Sequence, residues 1–307
     1  MEADPLYRVK QLFHQASYQA CISETSELPH TPSDDLSSLH RALYIARCHL
    51  ALTPPTPTAA HSVLAPFLSL NPAPISARSV AAFSSFLEAD ADEKEQRVEE
   101  IRDLVLEVEG GDESEESTVR VIAASVFILI GEKEEAVATL TEGAAKQDLE
   151  CIALLVQLLL TINRRDIALS VYSSAKKINS DSMLVQAMEA WIGLRTGAQP
   201  LEQAHFYYDE LFNLPGTRTA SLLASHGATH YLRGNIDEAK ADVAQASQEP
   251  DGKSPDVLAL GTSLNVPGFY EQVMELANVA PTHPYILDLA EKSKLFAEAA
   301  AKFSVKA

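Results

Sequence analysis

His226 and His230 stand four residues apart, the spacing that lets two imidazoles on one helical face hold a metal ion. A zinc site needs three or four identifiable ligands. Here Gly227 and Ala228 follow the first histidine, so the HExxH pattern is missing, and no Cys or carboxylate cluster stands nearby in the sequence. We expect no metal, and two histidines on a helix surface or in a groove. Asp90, Asp92, Glu93 and Glu95 offer oxygen ligands for calcium, but EADADEKEQ lacks the central glycine and terminal glutamate of an EF-hand loop. A solvated acidic face is the expectation. The three cysteines, Cys21, Cys48 and Cys151, are odd in number and far apart, without CxxC spacing. Cys151 opens an apolar helix and reads as a small buried hydrophobe. With no glycine-rich phosphate loop, nucleophile elbow or general-base pair, neither catalysis nor a cofactor is expected.

The charge balance narrows the partners. Against 24 basic residues stand 43 acidic ones, a net charge of -19, which repels phosphate backbones and anionic lipid headgroups. Nucleic acid is excluded as an expected partner. MEADPLYRVKQ carries acids where a targeting peptide needs positive charge, and the cysteine usage points to a reducing, cytoplasmic compartment. The longest apolar runs, VIAASVFILI (121–130) and IALLVQLLLTI (152–162), are shorter than the roughly 20 residues that span a bilayer.

Helical periodicity in pairs of segments joined by short polar turns runs through the chain. In HGATHYLRGNIDEAKADVAQAS, Gly234 follows the last apolar position of one helix and suits a left-handed cap. Asp237 and Glu238 then fall in the first turn of the next helix, at the positive end of its dipole. Ala239 and Ala246, seven apart, share one face of that helix, and Gly227 lets the preceding helix approach it. The pattern recurs. Gly261 and Gly268 follow Gly227 and Gly234 by 34 residues, and Ala280 follows Ala246 by the same step. Upstream come Ala124, Gly131, Ala136 and Gly143, then Asn163, Ala168 and Ala175, then Ala190, Gly197 and Ala204 with two extra residues in the turn. A period near 34 with small residues at these places resembles the tetratricopeptide repeat. The fold class expected is therefore all-α, a tetratricopeptide-like α-solenoid of paired antiparallel helices.

The N-terminal third is less regular. YRVKQLFHQASYQACISETSEL reads as one unit, with Ala16 at the turn and Tyr18 and Cys21 beyond it. LSSLHRALYIARCHLAL begins a second, whose turn TPPTPTAA reads as a proline-rich surface loop. VAAFSSFLEADADEKEQRVEEIRDLVLEV reads as a third pair, closed by GGDESEES, an acidic loop expected to be mobile. Neighbouring units that share one apolar seam make a single elongated domain over 1–307 the expectation: irregular repeats at 5–117, regular repeats at 118–284, a C-terminal helix at 285–303.

In such repeats the first helix of each pair lines the concave groove. By register Gln157, Trp191 and Tyr231 point into it, Trp191 having a place in the core as its alternative. Grooves that hold a terminal carboxylate use Lys, Arg and Asn there. The equivalent positions here are Val121, Ser125, Ala153, Gln157, Ala187, Ala224 and Ala228, so a chaperone-adaptor role is disfavoured. A small and apolar groove is expected to hold its ligand by area burial.

DPLYRVKQLFHQASYQACI, DLECIALLVQLLLTINRRDIALSVY, AWIGLRTGAQPLEQAHFYYDEL and THPYILDLAEKSKLF, in this order along the chain, resemble the epsilon subunit of coatomer. The resemblance implies a non-enzymatic cytoplasmic coat component, peripheral on Golgi membranes and COPI-coated vesicles, acting in Golgi-to-ER retrograde and intra-Golgi transport. It implies the C-terminal region of the coatomer alpha subunit as direct partner, the other coatomer subunits as indirect ones, and membrane contact only through the assembled coat. The alternative is a tetratricopeptide scaffold subunit of another large cytosolic assembly.

Overall fold

Two consecutive helices show how the chain distributes burial. LECIALLVQLLLT is apolar on every side, and eight of its residues, from Cys151 to Leu160, are buried. RDIALSVYSSAKKI, which follows, buries only Ala168 and Ala175. A helix apolar all round belongs inside, and one with a narrow apolar stripe belongs on an outer layer. The small residues of the stripe let the outer backbone lie close to the inner one.

The computed structural model describes residues 6–25, 36–214 and 218–303. Among these it holds seventeen α-helices and no strand. They are α1 (Tyr7–His14), α2 (Tyr18–Thr25), α3 (Leu36–Ala51), α4 (Pro57–Leu68), α5 (Ile75–Glu88), α6 (Ala91–Val108), α7 (Glu113–Ile130), α8 (Lys133–Leu140), α9 (Leu149–Thr161), α10 (Arg165–Ile178), α11 (Met183–Thr196), α12 (Ala198–Asn213), α13 (Ala220–Arg233), α14 (Ile236–Ala246), α15 (Pro255–Ser263), α16 (Phe269–Val279) and α17 (Pro284–Ala300). Contacts divide the chain into two compact units, 1–217 and 218–307. In the first, α1, α3, α5, α7 and α9 each pack on the next inner helix, and each of these and α11 packs on its own pair partner. In the second, α13 packs on α14 and α15, and α15 on α16. This is the all-α, repeat-built fold that the 34-residue period implies.

Five of the turns are built alike. Residues Ala16, Gly131, Asn163, Gly234 and Asn265 have φ between 51 and 89°. At each, two amides turn back onto the preceding helix. Gly234 N donates to Tyr231 O at 3.0 Å and Asn235 N to His230 O at 2.9 Å, and the same bond pair recurs at the other four. These bonds satisfy carbonyls that a helix end leaves open.

Several expectations need correcting. In the α15–α16 turn the left-handed cap is Asn265; Gly268, with φ 84°, precedes α16 instead. The reason is that α15 ends at Ser263, five residues before that glycine. The two extra residues after Gly197 lengthen α12, which starts at Ala198, instead of widening the turn. In TPPTPTAA only the first half is a loop, because Pro57 opens α4, where its fixed φ and missing N–H suit the first helical position. GGDESEES is likewise not an acidic loop. The Asp112 side chain accepts from Ser114 N and Glu115 N as the N-cap of α7, with Glu113, Glu115 and Glu116 in the first turn, where acids complement the dipole. Asp90 does the same for α6, accepting from Asp92 N and Glu93 N. The end of the first N-terminal unit, 26–28, lies outside the described residues.

Candidate functional site

The residues singled out for close helix packing fall at buried places or at turns. Ala124, Ala136, Ala168, Ala175, Ala239 and Ala246 are fully buried, and Ala204 nearly so. A Cβ on Gly227 would sit 3.0 Å from the Leu260 side chain, 3.1 Å from Asp242 and 3.5 Å from the Ala239 carbonyl, so this glycine carries α13 against both α14 and α15. At Gly261 a Cβ would meet the Gln272 side chain at 2.4 Å. Gly143 departs from the repeat. It lies past the end of α8 in a 3-10 turn, Gly143–Lys146.

His226 departs from its expected place on a surface or groove. It is buried, 5% exposed, with Nδ1 2.9 Å from Asp242 Oδ2 on α14 and its ring edge-on to His230 at 4.7 Å. Gly227 beside it allows the approach that makes the pair possible. Burial lowers the affinity of His230 for a proton, and the neighbouring His226 adds to this. All three cysteines are buried and free. Burial pushes the Cys151 thiol far up from its ordinary value, while its Sγ lies 3.4 Å from the Ser117 carbonyl.

The groove positions split into two classes. One turn further from the cap, Val121, Ala153, Ala187 and Ala224 are buried at 4 to 6% exposure, a correction to their assignment to a groove. Ser125, Gln157, Trp191 and Ala228, six residues before each turn, are all at least partly open. The physical reason is the width of the apolar stripe on an inner helix. It reaches one turn beyond the seam and takes Val121, Ala153, Ala187 and Ala224 into the core. Gln157 is exposed. Trp191 packs against the main core cluster along one side and remains half-buried. Tyr231, on α13, is 39% exposed.

Sequence reasoning missed a cleft of about 720 Å³ in the first unit. Its walls come from α1 and α3 on one side, with Tyr7, His14 and Tyr44, and from the start of α11 and the end of α12 on the other, with Met183, Tyr207 and Leu211. A tie across 103 residues of sequence helps to shape it. Arg47 on α3 bonds both Glu150 oxygens at the start of α9, and its guanidinium lies over the Phe13 ring at 4.6 Å and the Tyr44 ring at 5.6 Å. Burial pushes the Glu150 carboxyl up, but the charge and hydrogen bonds of Arg47 outweigh this and hold it below the ordinary range. His14, on the same wall, is driven toward its neutral form by burial, and burial likewise raises the Tyr207 phenol. No local periodicity announces a bond between residues this far apart.

What such an arrangement offers is recognition by a large mixed surface, in which Tyr7, Tyr44, Met183 and Leu211 alternate with Lys10, Glu150, Asp181 and Glu210. A family model described as coatomer epsilon subunit matches residues 2–304. The chain is similar to coatomer subunit epsilon-1 of Arabidopsis thaliana, 24% identical over 83% of this chain and 81% of the relative. To coatomer subunit epsilon of Caenorhabditis elegans it is 22% identical, covering 96% of this chain and 97% of that one. Among solved structures it resembles a tetratricopeptide repeat protein from Parabacteroides merdae, with TM-score 0.53 and 11% identity over 90% of this chain and 98% of that one. The Cut9-Hcn1 hetero-tetramer of the APC/C gives TM-score 0.53 and 12% identity over 93% of this chain and 54% of the other. These two likenesses speak for the repeat fold.

Proposed function

Because the chain belongs to the coatomer epsilon subunit family, and is thereby a subunit of the COPI coat, we propose that it holds the C-terminal region of the alpha subunit within that coat. The coat itself is cytosolic and Golgi-associated. In this reading the chain serves Golgi-to-ER retrograde and intra-Golgi transport as a scaffold without catalytic activity. Its other coatomer contacts are indirect, and it meets the membrane only through the assembled coat, on Golgi membranes and COPI-coated vesicles. The supporting observation is the family match over 2–304, which spans inner and outer helices alike. Among the described residues no helix is long and apolar enough to cross a membrane.

The open positions of the inner helices are the proposed partner contacts, with Gln157 at the rim and Trp191 and Tyr231 as the aromatic anchors, since aromatic side chains concentrate binding energy. Affinity capture from cytosol, with the co-purifying chains identified by mass, tests the reading as a whole. The alpha subunit should be retained through moderately high salt, as burial of apolar area is weakly screened. Trp191→Ala with Tyr231→Ala should weaken capture while circular dichroism still reports a helical protein. If the folded double variant captures as much alpha subunit as the parent, the anchors lie elsewhere, and the cleft beside Tyr7, Tyr44 and Tyr207 becomes the surface to mutate. Capture of a different set of chains, without coatomer subunits, would overturn the partner itself.

A further inference from the structure

Basic residues are scarce in this chain, 24 against 43 acidic, so a place where arginines converge asks for an explanation. The α9–α10 turn and the end of α11 provide one. Arg195, in the last turn of α11, donates from Nη2 to the Leu160 carbonyl at 3.2 Å and to Asn163 Oδ1. Arg165, the first residue of α10, donates from Nη1 to the Arg195 carbonyl at 3.4 Å. Both guanidinium groups are thus anchored by one nitrogen at the carbonyl end of an inner helix. Capping of that kind is common, and it occupies one of three nitrogens in each fork.

Both arginines border an open cleft. Arg165 and Arg195 line a space of about 520 Å³ together with Leu160, Asn163, Asp166 and Leu194. Asp166 is the single carboxylate on that lining, and Arg164 neutralises it through two bonds of 3.1 Å, Nε to Oδ1 and Nη2 to Oδ2. Those bonds hold the Asp166 carboxyl below its ordinary range. Each helix end carries about half a negative charge, so two guanidinium groups over two helix ends leave the cleft positive by about one charge. Leu160 and Leu194 complete the lining.

We propose that this cleft receives an acidic segment of a partner protein, with Asp or Glu carboxylates held by the Arg165 and Arg195 forks. Planar guanidinium groups match carboxylates two bonds at a time. A membrane is the disfavoured occupant, because a flat anionic surface must approach a chain of net charge -19. A narrow segment needs to approach only the cleft, and charges further away than about 10 Å are screened. The proposal does not rest on the alpha subunit being the partner.

Fluorescence anisotropy of a labelled glutamate-rich decapeptide, titrated with the protein at about 0.1 M salt, where that screening holds, reads the interaction directly. Binding should be saturable, should weaken as salt is raised, and should be missing for a serine-rich peptide of the same length. Arg165→Gln with Arg195→Gln should weaken it at least about fivefold, the factor that corresponds to about 1 kcal/mol. Asp166→Asn, which removes the carboxylate on the lining, should tighten it, and a gain cannot arise from misfolding. Unchanged binding in the folded double variant overturns the proposal. Should that variant fail to fold, the Asp166→Asn arm decides, and no gain there counts against the cleft. Arginine-dependent binding to phosphatidylserine vesicles without binding to the peptide would make the occupant a lipid and overturn the assignment to a protein segment.

Discussion

Two arginine–carboxylate pairs, Arg120–Glu116 and Arg164–Asp166, begin from the same chemistry and end in opposite roles. Arg120 and Glu116, four apart on α7, are 2% and 6% exposed. Their bond is 2.7 Å long, a further Arg120 nitrogen donates to the Thr139 carbonyl at 3.1 Å, and Glu116 accepts from Ala144 N at 3.2 Å. The pair therefore pins the end of α8 and the turn after it to α7. Arg164 and Asp166 are 53% and 68% exposed and bond each other at the protein surface. Water solvates the second pair whether or not it forms, while the first is left without solvation if either partner goes. The difference teaches that an ion pair's importance here follows from what else seals it.

The sharpest way to break the sealed pair is to fill the space it needs. A Cβ on Gly143 would lie 1.8 Å from Glu116 Oε1 and 2.8 Å from an Arg120 nitrogen, at a φ of 50°. Gly143→Ala should lower stability by about 3 to 5 kcal/mol, as loss of a buried pair does, with about 1 kcal/mol more from left-handed strain. Urea unfolding measures it. A midpoint within error of the parent would mean the turn can swing away from α7.

Next in size, Arg120→Met should destabilise by about 3 to 5 kcal/mol because it strands Glu116, whereas Arg120→Met combined with Glu116→Leu should recover most of that loss. Additive effects in this cycle would show that the pair is solvated after all. Ala239→Leu provides an uncharged reference for a sealed position. Overpacking at this fully buried residue should cost about 1 to 3 kcal/mol, and an unchanged midpoint would contradict its placement between α13 and α14.

Arg47 and Glu150 lie between the two extremes, at 10% and 21% exposure. The folded Glu150 carboxyl titrates below its ordinary value of 4.5. Its stabilisation is therefore complete above that pH and lost as the pH falls through the lower folded value. His14, whose folded value lies below 6.5, acts with the same sign from 6.5 downward. Acid unfolding followed from pH 7 to 3 should show both losses, and Glu150→Gln and His14→Gln should each flatten their own part of the curve. A slope unaffected by both substitutions would place the acid sensitivity elsewhere. The smallest effect is expected for Arg164→Ala, with an unfolding midpoint indistinguishable from the parent, and a clear drop would show that the open pair is sealed by something more than water.

Much of the fold is legible from the chain because the deciding bonds are local. The left-handed residue and the two amides that turn back at Gly131, Asn163 and Gly234 lie within six residues of one another, so residue type and spacing suffice to place them. Buried alanines at seven-residue intervals are legible for the same reason, since helical geometry alone puts them on one face. The site was less so. Nothing in AWIGL distinguishes a tryptophan in the core from one in a groove, and Trp191 turned out to share both, with one side on the core and the rest open.

The sequence by itself determined the paired helices, their turn chemistry and the family, all properties of short-range pattern or of residue order. Tertiary structure alone decided that Arg47 meets Glu150 at a separation of 103 residues, that the Glu116 carboxylate occupies the space a Cβ at position 143 would take, and that His226 is sealed against Asp242. Each of these is a bond between helices whose distance is set by the packing of everything between them. A long-range contact of that kind depends on the summed volumes of the intervening core, a quantity that no local pattern carries.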